Sequence, residues 1–153
     1  MSVRITAYRK GATSVEILET TAEAKSALAE DGAVLWVDLH GRTEFSDELL
    51  REVFGFHPLA IEDVYKENHR PKVEDYDRYL YLILRGVSDS SLLEDIKTEE
   101  MDLFLGKDFV VTHHSSPMST IDHAVDQLSH GVKPMNRGAV FLCHVLIDRM
   151  VDR

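Results

Sequence analysis

The sequence predicts an α/β fold in which a mixed β-sheet lies between two helix layers, an α/β/α sandwich. Residues 33–37 and 79–84 are apolar without alternation, which is typical of strands with apolar side chains on both faces. Segments with helical spacing of apolar residues separate the strands, so helices are expected on each face of the sheet. Glycine-containing connections at 11–12 and 106–108 predict hairpins, which make the sheet mixed.

The first elements follow from local signals. Strands are predicted over residues 3–10 and 15–19, where β-branched residues are frequent. Thr20 and Glu23 then form the pattern of a capping box, which opens a helix. Gly32 is free to take the left-handed conformation that ends such a helix, and the apolar strand 33–39 follows.

The middle of the chain is organised around two short helices. Ser46 is predicted to cap a helix that ends at Gly55. Pro58 suits the first turn of a second helix, where its missing N–H is not needed. Pro71 disfavours helical backbone at the residue before it, so this helix should end at or before residues 68–69.

The remaining elements are a hairpin and two helices. Residues 88–91 are predicted as a loop and 92–98 as an irregular connection, followed by hairpin strands over 101–105 and 109–112. Ser116-Pro117 should open a helix that is closed by His130-Gly131. Residues 138–151 are apolar almost all round, which is typical of a buried helix. We treat residues 1–153 as a single domain and expect the 138–153 helix to continue beyond Arg153 in a longer protein.

Composition narrows the classes of partner. The formal net charge is −10, from 27 acidic and 17 basic residues, so phosphate backbones and anionic lipid surfaces are disfavoured and cations are favoured. The lone Cys143 excludes an internal disulfide. No apolar run approaches the roughly 18 residues of a spanning helix and no signal-peptide pattern is present. The chain is therefore expected to be soluble and cytoplasmic, without nucleic-acid partners.

Carboxylates are the candidate site residues. Glu62 and Asp63 are adjacent, so on a helix they point about 100° apart and need ligands from another element or subunit to bind one ion. Their oxygens suit Mg2+ or Ca2+, although spacing alone favours a solvated acidic face over a metal site. Asp148 lies between apolar pairs on the last helix and shares a face with His144 and Asp152.

Other arrangements are less informative. His113 and His114 adjoin at a strand end, where successive side chains point to opposite faces, so joint metal binding is not expected. The chain has no Gly-x-Ser-x-Gly elbow, phosphate-binding glycine loop or His-Glu-x-x-His motif. We therefore expect that the protein is not an enzyme.

An ordered set of segments resembles the cytoplasmic domain of CorA-type magnesium transporters, over about residues 33 to 153. The most specific part is His57-Pro58-Leu59, Glu62-Asp63 and Arg70-Pro71-Lys72-Val73-Glu74. Support comes from residues 79–84, 103–112 and 146–148. The Gly-Met-Asn pore signature of that family is absent, because Met135-Asn136 follows Pro134.

The resemblance implies the cytoplasmic regulatory funnel of a homopentamer in the cell membrane, attached through a stalk and membrane helices beyond Arg153. It implies Mg2+ as the sensed ion, with Co2+, Ni2+ or Zn2+ as alternatives. By motif position, Asp63 would bind metal at a subunit interface, and Glu62 and Asp148 would contribute to a second nearby site. The alternatives are a ZntB-like zinc transporter domain and, from another class, a freestanding metal-dependent hydrolase.

Overall fold

The computed structural model describes residues 1–66, 70–87 and 98–151. Seven strands form one sheet: β1 (Ser2–Tyr8), β2 (Glu16–Leu18), β3 (Val34–His40), β4 (Lys72–Asp75), β5 (Tyr79–Val87), β6 (Thr98–Gly106) and β7 (Phe109–His114). The helices are α1 (Thr21–Ala29), α2 (Glu44–Glu48) with a π-helical continuation Leu49–Val53, α3 (Pro58–Val64), α4 (Ser119–Ser129), a 3-10 turn Met135–Arg137 and α5 (Ala139–Val151).

The sheet is mixed, with strand order β2-β1-β3-β7-β6-β5-β4. β3 and β7 pair in parallel, with Leu35 opposite Phe109 and Asp38 opposite Thr112. The other neighbouring strands are antiparallel. The two predicted hairpins, β1–β2 and β6–β7, are confirmed.

Two apolar cores lie on opposite faces of this sheet. Residues of α1, the π-helical turn and α3 pack on one face against alternate sheet residues such as Val37 and Tyr81. α4 and α5 cover the other face, against residues such as Trp36 and Leu103. The predicted α/β/α sandwich is therefore confirmed. β3 is buried on both faces, as its unbroken apolar run predicts.

Local predictions succeed where the signal is complete within a few residues. The capping box of α1 is present, with Thr20 accepting from the Glu23 N–H at 3.1 Å. For α2, however, the expected cap at Ser46 is wrong. Thr43 is the N-cap, and Ser46 occupies the third helical position and completes the capping box from there. Both residue types suit an N-cap, and only the extended backbone of Thr43 (φ −136°) decides between them.

Three further features of the chain differ from the sequence-based expectation. α4 begins at Ser119 rather than at Ser116-Pro117, because Met118 has an extended backbone (φ −126°) and is the N-cap. The Ser116 carbonyl lies 2.7 Å from His114 Nδ1. β4 was not predicted. The predicted loop 88–91 and most of the connection 92–98 lie outside the described residues, although Thr98 begins β6.

Candidate metal centre

Helix α3 is held rigidly at its start. The His57 Nδ1 accepts a hydrogen bond from the Leu59 N–H at 3.1 Å, and the His57 N–H donates to the Tyr79 hydroxyl at 2.8 Å. Pro58 occupies the first turn, as predicted. Ala60 and Val64 are buried in the core, so the helix turns the side chains between them toward its outer surface.

Asp63 is the better enclosed of the two adjacent carboxylates. Its Oδ2 lies 3.1 Å from Lys72 Nζ and its Oδ1 lies 3.7 Å from Lys66 Nζ. Its side chain is 23% exposed, against 60% for Glu62. Glu62 contacts Lys66 at 3.3 Å. Both candidate ligands are therefore ion-paired with lysines.

Strand β4 supplies a third carboxylate that the site prediction did not include. Glu74 Oε1 lies 2.8 Å from Lys72 Nζ. That oxygen is shielded from solvent and has no hydrogen-bond partner with acceptable geometry among the described residues, so we treat the contact as an ion pair. Glu74 first, and then Asp63, raise the pKa of Lys72. A single ammonium group therefore balances two carboxylates.

Asp148 lies on the opposite side of the sheet. It is an exposed residue of α5, which packs on the core containing Leu146 and Met150, whereas α3 packs on the other core. One chain therefore brings Glu62 and Asp63 together but does not bring Asp148 to them. A site that uses all three needs two copies of the chain.

The donor chemistry fits a hydrated hard cation only in part. Carboxylate oxygens are suitable ligands for Mg2+. Within residues 1–66, 70–87 and 98–151, however, no group of three or more histidine, cysteine, aspartate or glutamate side chains is arranged to hold a metal ion. A single chain therefore offers part of a coordination shell, and water or a neighbouring chain must supply the rest.

A buried acid behind this edge escaped the sequence-based interpretation. Asp102 on β6 is 1% exposed and accepts a hydrogen bond from the Tyr81 hydroxyl. Burial raises the pKa of Asp102 to about 8 and also raises the pKa of Tyr81. The strand alternation places Asp102 opposite Ile83 and His113, but no local signal indicated which face it would occupy.

The histidine pair is divided between the two faces, as strand geometry predicts. The buried His113 ring meets Tyr65 edge-on at 5.3 Å, and burial lowers the pKa of His113 to about 4. His114 Nε2 lies 3.0 Å from Asp38 Oδ2. The Thr112 hydroxyl donates to the other Asp38 oxygen at 2.6 Å. These groups satisfy one another and have the character of a structural network.

Comparison with known protein families shows which family the chain belongs to. Residues 31–153 match the family described as CorA-like Mg2+ transporter protein. The chain belongs to this family. The family is named for transport rather than for catalysis, and the predicted resemblance is confirmed.

Two transporter sequences and one solved domain illustrate what this chain is similar to. YfjQ of Bacillus subtilis (strain 168), named as a metal ion transporter, is 34% identical over 80% of this chain and 37% of its own length. The cobalt/magnesium transport protein CorA of Thermotoga maritima is 26% identical over 90% of this chain and 40% of its length. The ZntB cytoplasmic domain of Vibrio parahaemolyticus has a TM-score of 0.71 with 16% identity, over 98% of this chain and 58% of that one.

These comparisons define the fold and the extent of the match. The chain spans about two fifths of the length of the CorA-like relatives that it matches. The similarity to the ZntB domain shows a shared α/β/α fold. Of the helices in the described residues, none combines the length and apolar character that a membrane crossing requires.

Proposed function

We propose that this chain is the cytoplasmic regulatory domain of a CorA-like divalent-cation transporter. It senses internal Mg2+ through carboxylates at the edge formed by α3 and β4, with Asp63 as the central ligand. Co2+, Ni2+ and Zn2+ are the alternative ions. The family relationship supports the transporter class, and the contacts of Asp63 support the position of the site.

The main structural support for the proposal is the charged environment of Asp63. Both of its oxygens face ammonium groups, 3.1 and 3.7 Å away, so this edge already stabilises positive charge close to the carboxylate. The Lys66 side chain is 52% exposed, and its displacement into water costs little. We expect a hydrated Mg2+, which keeps several of its waters, to take the place of this ammonium group.

The site is completed between copies of the chain. Asp63 and Glu62 supply only part of a coordination shell, and Asp148 lies on the opposite side of the sheet. In a cyclic head-to-tail assembly, such as the proposed pentamer, one side of each subunit faces the other side of its neighbour. Glu62 of one subunit and Asp148 of the next would then share a second site. An ion that binds only the symmetric closed assembly shifts the population toward it.

The identity of the ion distinguishes the proposal from its nearest alternative. Carboxylate oxygens without cysteine or histidine favour Mg2+ over Zn2+, while a ZntB-like zinc transporter would share the fold. Ion selectivity measured on the full-length transporter, in flux assays with Mg2+ and Zn2+ supplied separately, separates the two. A freestanding hydrolase would instead show turnover that a chelator abolishes.

The central test replaces Asp63 by asparagine in the full-length protein. Mg2+ should protect the closed assembly from protease, and Asp63→Asn should raise the Mg2+ concentration needed for half-protection, because the amide carries no charge. Glu44→Gln is the control, since Glu44 is an exposed acid on α2 of the same side. Equal midpoints for Asp63→Asn and the unmodified protein would remove Asp63 from the mechanism.

A further inference from the structure

The side of the sheet opposite Asp63 carries a groove of about 890 Å3 between α4, the 3-10 turn and α5. This volume lies within the range of small-molecule pockets. The lining residues are Ser119, Thr120, His123, Gln127, Lys133, Pro134, Arg137, Phe141, His144, Val145, Asp148 and Arg149. They include residues from three consecutive elements, so the groove depends on how these elements pack.

The groove is basic in a strongly acidic chain. Lys133, Arg137 and Arg149 line it with Asp148 as the single acid, which gives the lining a net charge of +2 with both of its histidines neutral. Elsewhere, cations such as Arg9 and Arg42 have carboxylate partners within 3.2 Å. In the described parts of the chain, no carboxylate oxygen lies within 4.0 Å of the three groove cations. No carboxylate of the described residues therefore neutralises their charge.

Two features give the groove a defined geometry. The Arg137 guanidinium stacks over the Phe141 ring, 4.2 Å from its centroid, which restricts this cation before any ligand binds. The first residues of α4, Ser119 and Thr120, also line the groove. The positive end of the dipole of this 11-residue helix therefore adds to the field of the cations.

The spacing of the cations determines the size of the ligand. Arg137 precedes the first residue of α5, and Arg149 lies ten residues after that residue. At 1.5 Å per helical residue, α5 advances about 15 Å from Ala139, its first residue, to Arg149, and Arg137 lies two residues before Ala139. A compact anion would contact one end only, whereas an extended chain of phosphates would contact both.

We propose that this groove binds an anion that carries a polyphosphate group, either inorganic or attached to a nucleoside. Lys133 and Arg137 contact one end of the phosphate chain, and Arg149 contacts the other. Asp148 faces the same groove and repels the anion. The three cations outweigh it. The groove shares Asp148 with the second metal site proposed above, but its three cations take no part in metal binding, so either proposal can fail without the other.

The test is isothermal titration of the chain with pyrophosphate, ADP and ATP in EDTA, so that no divalent cation takes part. We expect saturable one-to-one binding that weakens as NaCl rises from about 50 to 200 mM, as for other charge-dominated contacts. Arg137→Gln should weaken binding about tenfold, since a hydrogen bond to a charged group is lost. Tighter binding of ATP than of inorganic tripolyphosphate would identify a nucleotide as the ligand, and equal binding would identify the phosphate chain.

The control variant is Lys25→Gln. Lys25 is an exposed cation on α1, on the other side of the sheet, and its removal should leave the affinity unchanged. Equal losses for Lys25→Gln and Arg137→Gln would mean general charge attraction and would overturn the proposal. Absence of saturable binding for all of these phosphates would do the same. Circular dichroism melting of each variant checks that the fold is retained.

Discussion

Lys72 Nζ lies 3.1 Å from Asp63 Oδ2, so the edge of the sheet carries a protein cation at the carboxylate proposed to bind a metal ion. The same ammonium group lies 2.8 Å from Glu74 Oε1. An incoming divalent cation must therefore share these two carboxylates with Lys72 or replace it. This arrangement predicts weak binding whose strength depends on the lysine.

Removal of this lysine should strengthen divalent-cation binding. In the full-length protein, Lys72→Gln leaves Asp63 and Glu74 without their shared counter-ion, so the Mg2+ concentration for half-protection from protease should fall two- to fivefold, about the value of one exposed ion pair. Lys107→Gln, at the exposed β6–β7 turn, should leave the midpoint unchanged. A higher midpoint for Lys72→Gln would mean that Lys72 organises the site rather than competes for it.

Asp102 should make stability depend on pH. Its folded-state pKa is about 8, against 3.8 ordinarily, so between these values the folded state holds a proton that the unfolded state releases. The free energy of unfolding should therefore fall as pH rises through this window, by at most about 1.4 kcal/mol per pH unit. Asp102→Asn keeps the shape and removes the titration.

Urea unfolding at pH 5 and pH 8 measures this effect. The unmodified chain should lose more stability than Asp102→Asn between the two values. The difference between the two proteins is the informative quantity, because His113, with its pKa lowered to about 4 by burial, contributes the opposite slope below pH 6.5. Parallel pH curves for the two proteins would show that Asp102 is ionised in the fold.

Gly86 sets the approach of α5 to the sheet. A Cβ at this position would lie 2.8 Å from the Met150 carbonyl oxygen and 3.0 Å from Met150 Cγ. Gly86→Ala should therefore lower the free energy of unfolding by about 1–3 kcal/mol, the usual cost of overpacking. Gly131→Ala is the matched control, because its Cβ would meet no described atom within 4 Å. Equal urea midpoints for the two variants would contradict this packing.

The sequence alone predicted the features that depend on short-range interactions. The capping box at Thr20 and Glu23 and the helix start at Pro58 need only neighbouring residues. The unbroken apolar run of β3 indicates burial on both faces wherever the strand lies in the sheet. The layered fold class was predictable because two such apolar strands, separated by helical segments, imply helices on both faces of the sheet. The ordered motif around residues 57–74 indicated the family.

Only the tertiary structure decided which distant groups meet. β4 is a charged, half-exposed edge strand that becomes a strand by pairing with β5, so it carries no apolar pattern of its own. Asp102 became a buried acid because Tyr81, on the neighbouring strand, faces the same core. Asp63 and Asp148 look equivalent as isolated carboxylates. The sheet separates them, since chain topology rather than residue type assigns each helix to a face.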